Sequence, residues 1–422
     1  MKKFFTLFIV ISSLLLSFTS CGDEAVDVDT VNKQTILVFM PWSGDANSSG
    51  LTSSLRVNVD SICQGIIDKK GLGESRVMLF FSESYKSSTL YDLQYDASSA
   101  AVKRIPIKTY EGAIYNSAEG MASIINDVKH QAEALNYAMI IGCHGCGWTY
   151  ASDWVSYPYR SKPQAGSSVG ASTANPFSGI QFGSDPNNPI TRFFGSVSSQ
   201  DLSIDVSTLA EGIKLSNTKM QYILFDACYM GNVETAYELK DATNFLITTS
   251  SEMLAAGIPY RSLWSYLNSA TPSYSSIVSG TINYYVNTLK QPYCNMTAVD
   301  CRQMDHLANI MKQINSQYSL SSNVPLDSIQ PLDGFSPNLF YDMKVYVDSL
   351  HPSDYLKDQF TTQLQATIKS SQSTDEVITT LDAIRERHIK IKSYCGLSIS
   401  DPSQHSVAIK GREKTGWWMA TH

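Results

Sequence analysis

What most constrains the fold of this chain is a set of short, uninterrupted apolar runs at 35–40, 76–81, 137–142, 220–225 and 245–249. A strand with one solvated face alternates apolar and polar side chains, whereas a strand covered on both faces need not. These runs do not alternate, and β-branched and aromatic residues crowd them, so they predict buried strands of a parallel sheet. Between them, apolar residues recur every three or four positions. Leu55, Val59, Ile62 and Ile66 make one helical stripe; Met121, Ile125, Val128, Ala132 and Leu135 make another, and shorter helices are expected near 206–215 and 230–240. Strands alternating with helices build right-handed βαβ units, hence an α/β fold with a mostly parallel central sheet covered on both faces. Beyond about 260 the pattern is mostly helical. Tyr274, Val278, Ile282, Tyr285 and Leu289 share a face, and 304–318 and 375–388 carry similar stripes, with late strands expected at 343–347 and 397–400. Residues 149–200, crowded with Ser, Gly, Asn and Pro, read as a loop insertion.

Two polar residues stand just past the carboxyl ends of such strands. His144 follows the run at 137–142 and precedes Gly145; Cys228 follows the run at 220–225 after Asp226 and Ala227. In open parallel sheets the loops at that edge share one crevice, where ligands and reacting groups collect. Gly145 lets backbone approach a ligand closely. Cys228 precedes an expected helix, whose N-terminal dipole favours a thiolate. A histidine across the crevice would serve that thiol as general base or proton donor, and the N–H groups of Gly145 and Cys228 would face a developing oxyanion. On spacing alone, core packing of the cysteine and hydrogen bonding of the histidine explain both residues without any catalysis.

The N-terminus reads as an address. Lys2 and Lys3, an apolar run at 4–16 and a small-residue stretch ending in Thr19-Ser20-Cys21 make a secretory leader too short to span a bilayer. A cysteine after Thr-Ser resembles a bacterial lipoprotein box, with Phe18 where leucine is usual. It implies a signal peptide over 1–21, cleavage before Cys21 and acylation of its thiol, followed by a flexible acidic tether over 22–34. The expected location is an exported membrane lipoprotein, at the outer membrane or the cell surface. Lys2 and Lys3 are the only charges in the leader, so its removal takes the formal charge from −7 to −9. That dispersed acidity argues against a nucleic-acid partner. With Cys21 acylated, seven cysteines remain, at 63, 143, 146, 228, 294, 301 and 395. An odd number leaves at least one thiol without an intrachain partner.

The segment Ala138-Met-Ile-Ile-Gly-Cys-His144-Gly145, followed later by Tyr222-Ile-Leu-Phe-Asp226-Ala227-Cys228-Tyr-Met-Gly231, resembles the clostripain family of caspase-like cysteine peptidases. The opening strand, the Thr-Thr-Ser-Ser-Glu252 segment and the late Tyr341-Asp342 and Gly396-Leu-Ser stretches extend the likeness along most of the chain. The resemblance implies a caspase-like αβα sandwich over about 35–290, with a helix-rich C-terminal part over 291–422 packed on it. It implies Cys228 as nucleophile and His144 as acid/base of an endopeptidase working through an acyl-enzyme. Asp226 matches an acidic residue of the family's primary-specificity pocket, which implies cleavage after Arg or Lys; without the family it reads equally as a cap for the next helix. A second pocket acid lies further past the cysteine in the family. Glu252 is the candidate here, and Ala255-Ala256 follow where acidity is expected. Self-cleavage between the histidine and the cysteine activates some family members; Arg160, followed by Ser161, and then Arg192 are the candidate bonds.

The expected partners are a peptide or protein substrate and, through Cys21, a membrane, with the chain a monomer. No cofactor is expected; some relatives depend on calcium, but the Asp and Asn residues at 185–188 are far from a calcium loop. Cys143-His-Gly-Cys146 lacks the following histidine of a haem site and a second ligand pair for zinc, leaving a strained disulfide or two packed thiols. No Gly-rich phosphate loop, HExxH pattern or GxSxG elbow is present. Two other readings stand beside the endopeptidase: a peptide- or glycan-binding lipoprotein of the same fold, and a cysteine amidase or transpeptidase.

Overall fold

All five apolar runs lie in one sheet. The computed structural model describes residues 32–44, 50–154, 194–196, 200–379 and 387–422. Its main strands are β1 (Asn32–Met40), β2 (Ser75–Ser84), β3 (Ser87–Asp96), β4 (Ala101–Glu111), β5 (Ala134–Gly142), β6 (Met220–Asp226), β7 (Thr243–Thr248), β8 (Asn295–Asp300) and β9 (Ile368–Ser373). They stand in the order β9-β8-β7-β6-β5-β1-β2-β3-β4. The middle five are parallel to one another, and two antiparallel strands extend each side. The parallel strands are the ones with continuous apolar runs, because both of their faces are covered. β3 and β4 escape that pattern: β4 is largely exposed, so its side chains carry no buried-strand signal.

Side-chain alternation sorts the sheet into two cores. On one face Ile36, Val38, Met40, Ile140 and Leu224 pack under α1 (Thr52–Asp68), joined by Tyr260, Leu263 and Trp264 and by Ile277 and Val278 further along the chain. On the other face Leu37, Phe39, Met139, Ile141, Ile223 and Phe225 meet α2 (Ala118–Gln131) and α3 (Val206–Leu215). The remaining helices are α4 (Val233–Glu238), α5 (Tyr260–Leu267), α6 (Tyr274–Asn283), α7 (Met304–Asn315), α8 (Met343–Ser349), α9 (Asp354–Thr367), α10 (Ser406–Gly411) and α11 (Gly416–Thr421). α5 and α6 complete the first face; α4, α7, α8 and α9 complete the second. The result is an αβα sandwich with a mostly parallel centre.

Four late elements differ from expectation. β8 and β9 are strands of the central sheet where a helix-rich part was expected, so 291–422 completes that sheet and is not a separate part packed on it. The stripe at 375–388 is a hairpin, Glu376–Thr379 pairing with Arg387–Lys390, because Val377 and Ile378 bury as β-branched strand residues. The run at 343–347 is α8, for Asp342 caps it by accepting from the N–H of Val345 at 3.0 Å. No helix among the described residues is long and apolar enough to cross a membrane. The leader with Cys21, the tether residues up to 31, Arg160, Arg192 and the run at 185–188 lie outside the described residues.

Candidate active site

β5 and β6 are parallel neighbours in which Gly142 pairs with Asp226. Two residues further on, His144 and Cys228 leave the same edge of the sheet. The ladder persists briefly, with the Cys143 N–H donating to the Asp226 carbonyl at 3.3 Å. Gly145 then lies directly on Cys228: a Cβ there would come within 2.4 Å of the Cys228 carbonyl oxygen and 3.1 Å of its nitrogen. Only glycine permits that approach. His144 is buried, 3 % exposed, and its carbonyl accepts from the Gly195 N–H at 3.1 Å.

The Cys228 thiol is half-buried, and its sulfur accepts from the Met253 N–H at 3.2 Å. Desolvation, followed by the negative charge of Glu252, pushes the thiol well above its ordinary range, while the Met253 N–H draws it down. This corrects the expectation of a helix-activated thiolate. The helix after Cys228 starts only at Val233, capped by the Asn232 side chain accepting from the Thr235 N–H at 2.7 Å. With residues 229–232 between them, the dipole acts beyond the reach of its first turn. Burial and the neighbouring carboxylates thus favour the protonated thiol.

Asp226 is buried on the α1 and α5 face. Its carboxylate accepts from the Tyr260 hydroxyl at 2.8 Å and from Asn58 Nδ2 at 3.0 Å. Gly257 (φ +62°) closes over it, so near that a Cβ would sit 2.6 Å from either carboxylate oxygen. Burial raises the carboxyl to about 6, and the bonds from Tyr260 and the Ile258 backbone keep it from rising further. Asp226 caps no helix, since Asn232 caps α4. A depression of about 880 Å³ lies between α1, α5 and α6, lined by Asn58, Ala256, Ile258 and Arg261 among others; Asp226, His144 and Cys228 do not line it.

Glu252 is also buried but sits in other company. Its Oε2 accepts from the Tyr229 hydroxyl at 3.1 Å. Both acids act electrostatically on the Cys228 thiol, yet Asp226 is held by α1 and α5 and Glu252 by the residue after the cysteine. Tyr229, Tyr260, Asn58 and Met253 went unread in the sequence, where no local spacing sets them apart. Among the described residues no two cysteines are joined by a disulfide. Cys143 packs in the core under α2, and Cys146 in a separate aromatic cluster with Trp148, Trp154, Tyr229 and Phe340; the pair is two packed thiols. No group of three or more His, Cys, Asp or Glu that could hold a metal ion occurs among the described residues.

Comparison with known proteins puts this geometry in a family. The model of the clostripain family matches residues 183–403. Among solved structures, a secreted C11 cysteine protease from Bacteroides thetaiotaomicron called iotapain is 33% identical, with a TM-score of 0.78 over 93% of this chain and 99% of that one. A clostripain from Bacteroides thetaiotaomicron ATCC 29148, in complex with the peptide inhibitor BTN-VLTK-AOMK, is 39% identical, with a TM-score of 0.51 over 55% of this chain and 99% of its own. An inactive zymogen C11 protease from Parabacteroides distasonis, 19% identical, shares the fold, with a TM-score of 0.72 over 92% of this chain and 98% of that one. No curated protein matches the chain. The family model spans β6 and Cys228 after it, and 33% identity to a C11 protease is sustained over nearly the whole length; with its caspase-like sheet and a cysteine at the sheet's carboxyl edge, this chain belongs to the clostripain family of cysteine proteases.

Proposed function

We propose that this protein is an exported, lipid-anchored endopeptidase that cleaves after Arg or Lys, with Cys228 as nucleophile and His144 as its acid/base. The observation that carries this reading is the seating of Gly145 on the Cys228 backbone at the ends of two paired parallel strands. His144 takes the thiol proton, and the Cys228 sulfur attacks the scissile carbonyl carbon. Backbone N–H groups of Gly145 and Cys228 receive the oxyanion. His144 returns the proton to the leaving amine as the C–N bond breaks, and water, deprotonated by His144, hydrolyses the thioester.

Asp226 is the group that would select a basic side chain, since a desolvated carboxylate pairs with a guanidinium or ammonium far better than with a neutral group. The relative of 39% identity was solved with an inhibitor whose peptide, VLTK, ends in lysine, which favours the same preference here. Glu252, pinned by Tyr229, is the less suitable second pocket acid. The secreted character of the relative of 33% identity favours export, and Cys21 supplies the anchor, with 22–34 as tether and a catalytic domain that starts at 35 and includes the later strands β8 and β9. Cleavage at Arg160 or Arg192 is the proposed activation step, and no calcium requirement is proposed.

The test is labelling of the soluble form, residues 22 onward, with a peptidyl electrophile ending in Arg and a control ending in Asp, followed by mass mapping. Selective modification of Cys228 that disappears in His144→Ala is expected. Equal labelling by both probes would overturn the basic preference, and no labelling of Cys228, intact or nicked by trypsin, would overturn the dyad.

A further inference from the structure

Tyr229 has no part in the mechanism above, yet the fold invests heavily in it. It follows the nucleophile with φ +60°, a left-handed conformation disfavoured for a bulky side chain. Its ring is fully buried, stacked on Phe340 at 5.5 Å and 18° and tilted against Phe335 at 5.7 Å. Those two phenylalanines are fixed in turn by Asp333, whose carboxylate accepts from the N–H groups of Phe335, Leu339 and Phe340. Three bonds then tie 228–229 to 251–253. The Tyr229 N–H donates to the Ser251 carbonyl at 2.9 Å, the Tyr229 hydroxyl to Glu252 Oε2 at 3.1 Å, and the Met253 N–H to the Cys228 sulfur at 3.2 Å. Glu252 is thereby caught, 5 % exposed, between the two residues that touch the nucleophile's own segment.

We propose that Tyr229 and Glu252 are a positioning pair for the nucleophile: the phenol holds the buried carboxylate in the segment whose Met253 N–H meets the Cys228 sulfur, which leaves activation of the thiol to His144. The proposal rests on Cys228 being the nucleophile. A negative charge held at short range in a desolvated site disfavours a second one, and Glu252 is the strongest charge acting on the thiol. Apart from the proposed base His144, the other titratable groups acting on the sulfur are Asp226 on β6, Cys146 after β5, Tyr229 itself and Tyr285 in the turn that extends α6. None of these brings a permanent positive charge, so the sulfur is held neutral from several sides. The consequence is a resting enzyme whose thiol resists stray electrophiles outside the cytoplasm and becomes a nucleophile only through its base.

The experiment is the pH dependence of Cys228 alkylation by iodoacetamide, quantified by mass mapping, in the wild type, Glu252→Gln and Tyr229→Phe, with thermal melts of each. Glu252→Gln keeps an oxygen for the Tyr229 hydroxyl and removes only the charge. Its alkylation midpoint is expected to fall by about one pH unit, a change that loss of structure alone would not produce. Tyr229→Phe keeps the aromatic seat, and is expected to lower kcat several-fold with KM little changed. A Glu252→Gln profile superimposed on that of the wild type would overturn the proposal. Failure of wild-type Cys228 to alkylate at any pH would instead overturn the nucleophile assignment beneath it.

Discussion

Two buried acids flank the Cys228 sulfur, and their surroundings differ. Asp226 ends β6 and receives its hydrogen bonds from two helices on one face, under the backbone of Gly257. Glu252 receives a phenol from the residue next to the nucleophile, inside a closed aromatic cluster anchored by Asp333. Both are desolvated and both disfavour a thiolate. The difference teaches that two carboxylates equally buried near one sulfur can be held by unrelated parts of the fold, one by helices on a sheet face and one by the chain next to the cysteine.

The comparison breaks most readily at Asp226. Replacing it, Asp226→Asn, is expected to lower kcat/KM for an Arg substrate roughly 100-fold or more while sparing a citrulline analogue, because a buried ionic partner is lost only for the cation. Equal losses on both substrates would make Asp226 a scaffold residue like its counterpart. Next in size, Phe340→Ala removes a ring stacked on Tyr229 and should cost about 3 kcal/mol in denaturant unfolding; an unchanged midpoint would mean that the seat is not closed at all.

Protonation sharpens the contrast further. The Asp226 carboxyl is raised to about 6 in the fold from an ordinary 3.8, so the folded chain binds its proton more tightly than the unfolded one. Its contribution to stability is therefore complete below about 4 and is lost as the pH rises through about 6. Function runs the opposite way, since only the ionised form attracts a cation. Arg-over-citrulline selectivity should fall about tenfold between pH 7.5 and pH 5, as the carboxylate fraction drops, and Asp226→Asn should show neither slope. Selectivity that stays flat over that range would remove Asp226 from the pocket. The smallest expected effect is Asn58→Ala, a few-fold loss confined to Arg and Lys substrates, read from the same pair of kinetic constants.

Much of the architecture was legible because burial on both faces leaves a mark in the chain. The five apolar runs are the five parallel strands, and α1, α2 and α3 follow from stripes at helical spacing. His144 and Cys228 were legible for a related reason: each comes just after such a run, where a parallel sheet delivers its loops. The β3–β4 ribbon was not, because an exposed edge imposes no apolar pattern, and the hairpin at 376–390 hid behind residues that suit helix and strand alike. The activation of the thiol was misjudged on distance. A helix four residues too late supplies no dipole at the sulfur.

The sequence by itself determined which strands are central and that His144 and Cys228 follow two of them at one edge of the sheet, because those follow from periodicity along the chain. Only the tertiary structure decided the surroundings of the thiol and of the two acids. Those depend on contacts between residues far apart in sequence, Asp226 with Asn58 and Tyr260, Tyr229 with Glu252 and Phe340, and on how completely water is excluded around them. Neither quantity has a local signature, since a carboxylate reads the same in the chain whether it ends under two helices or behind a ring.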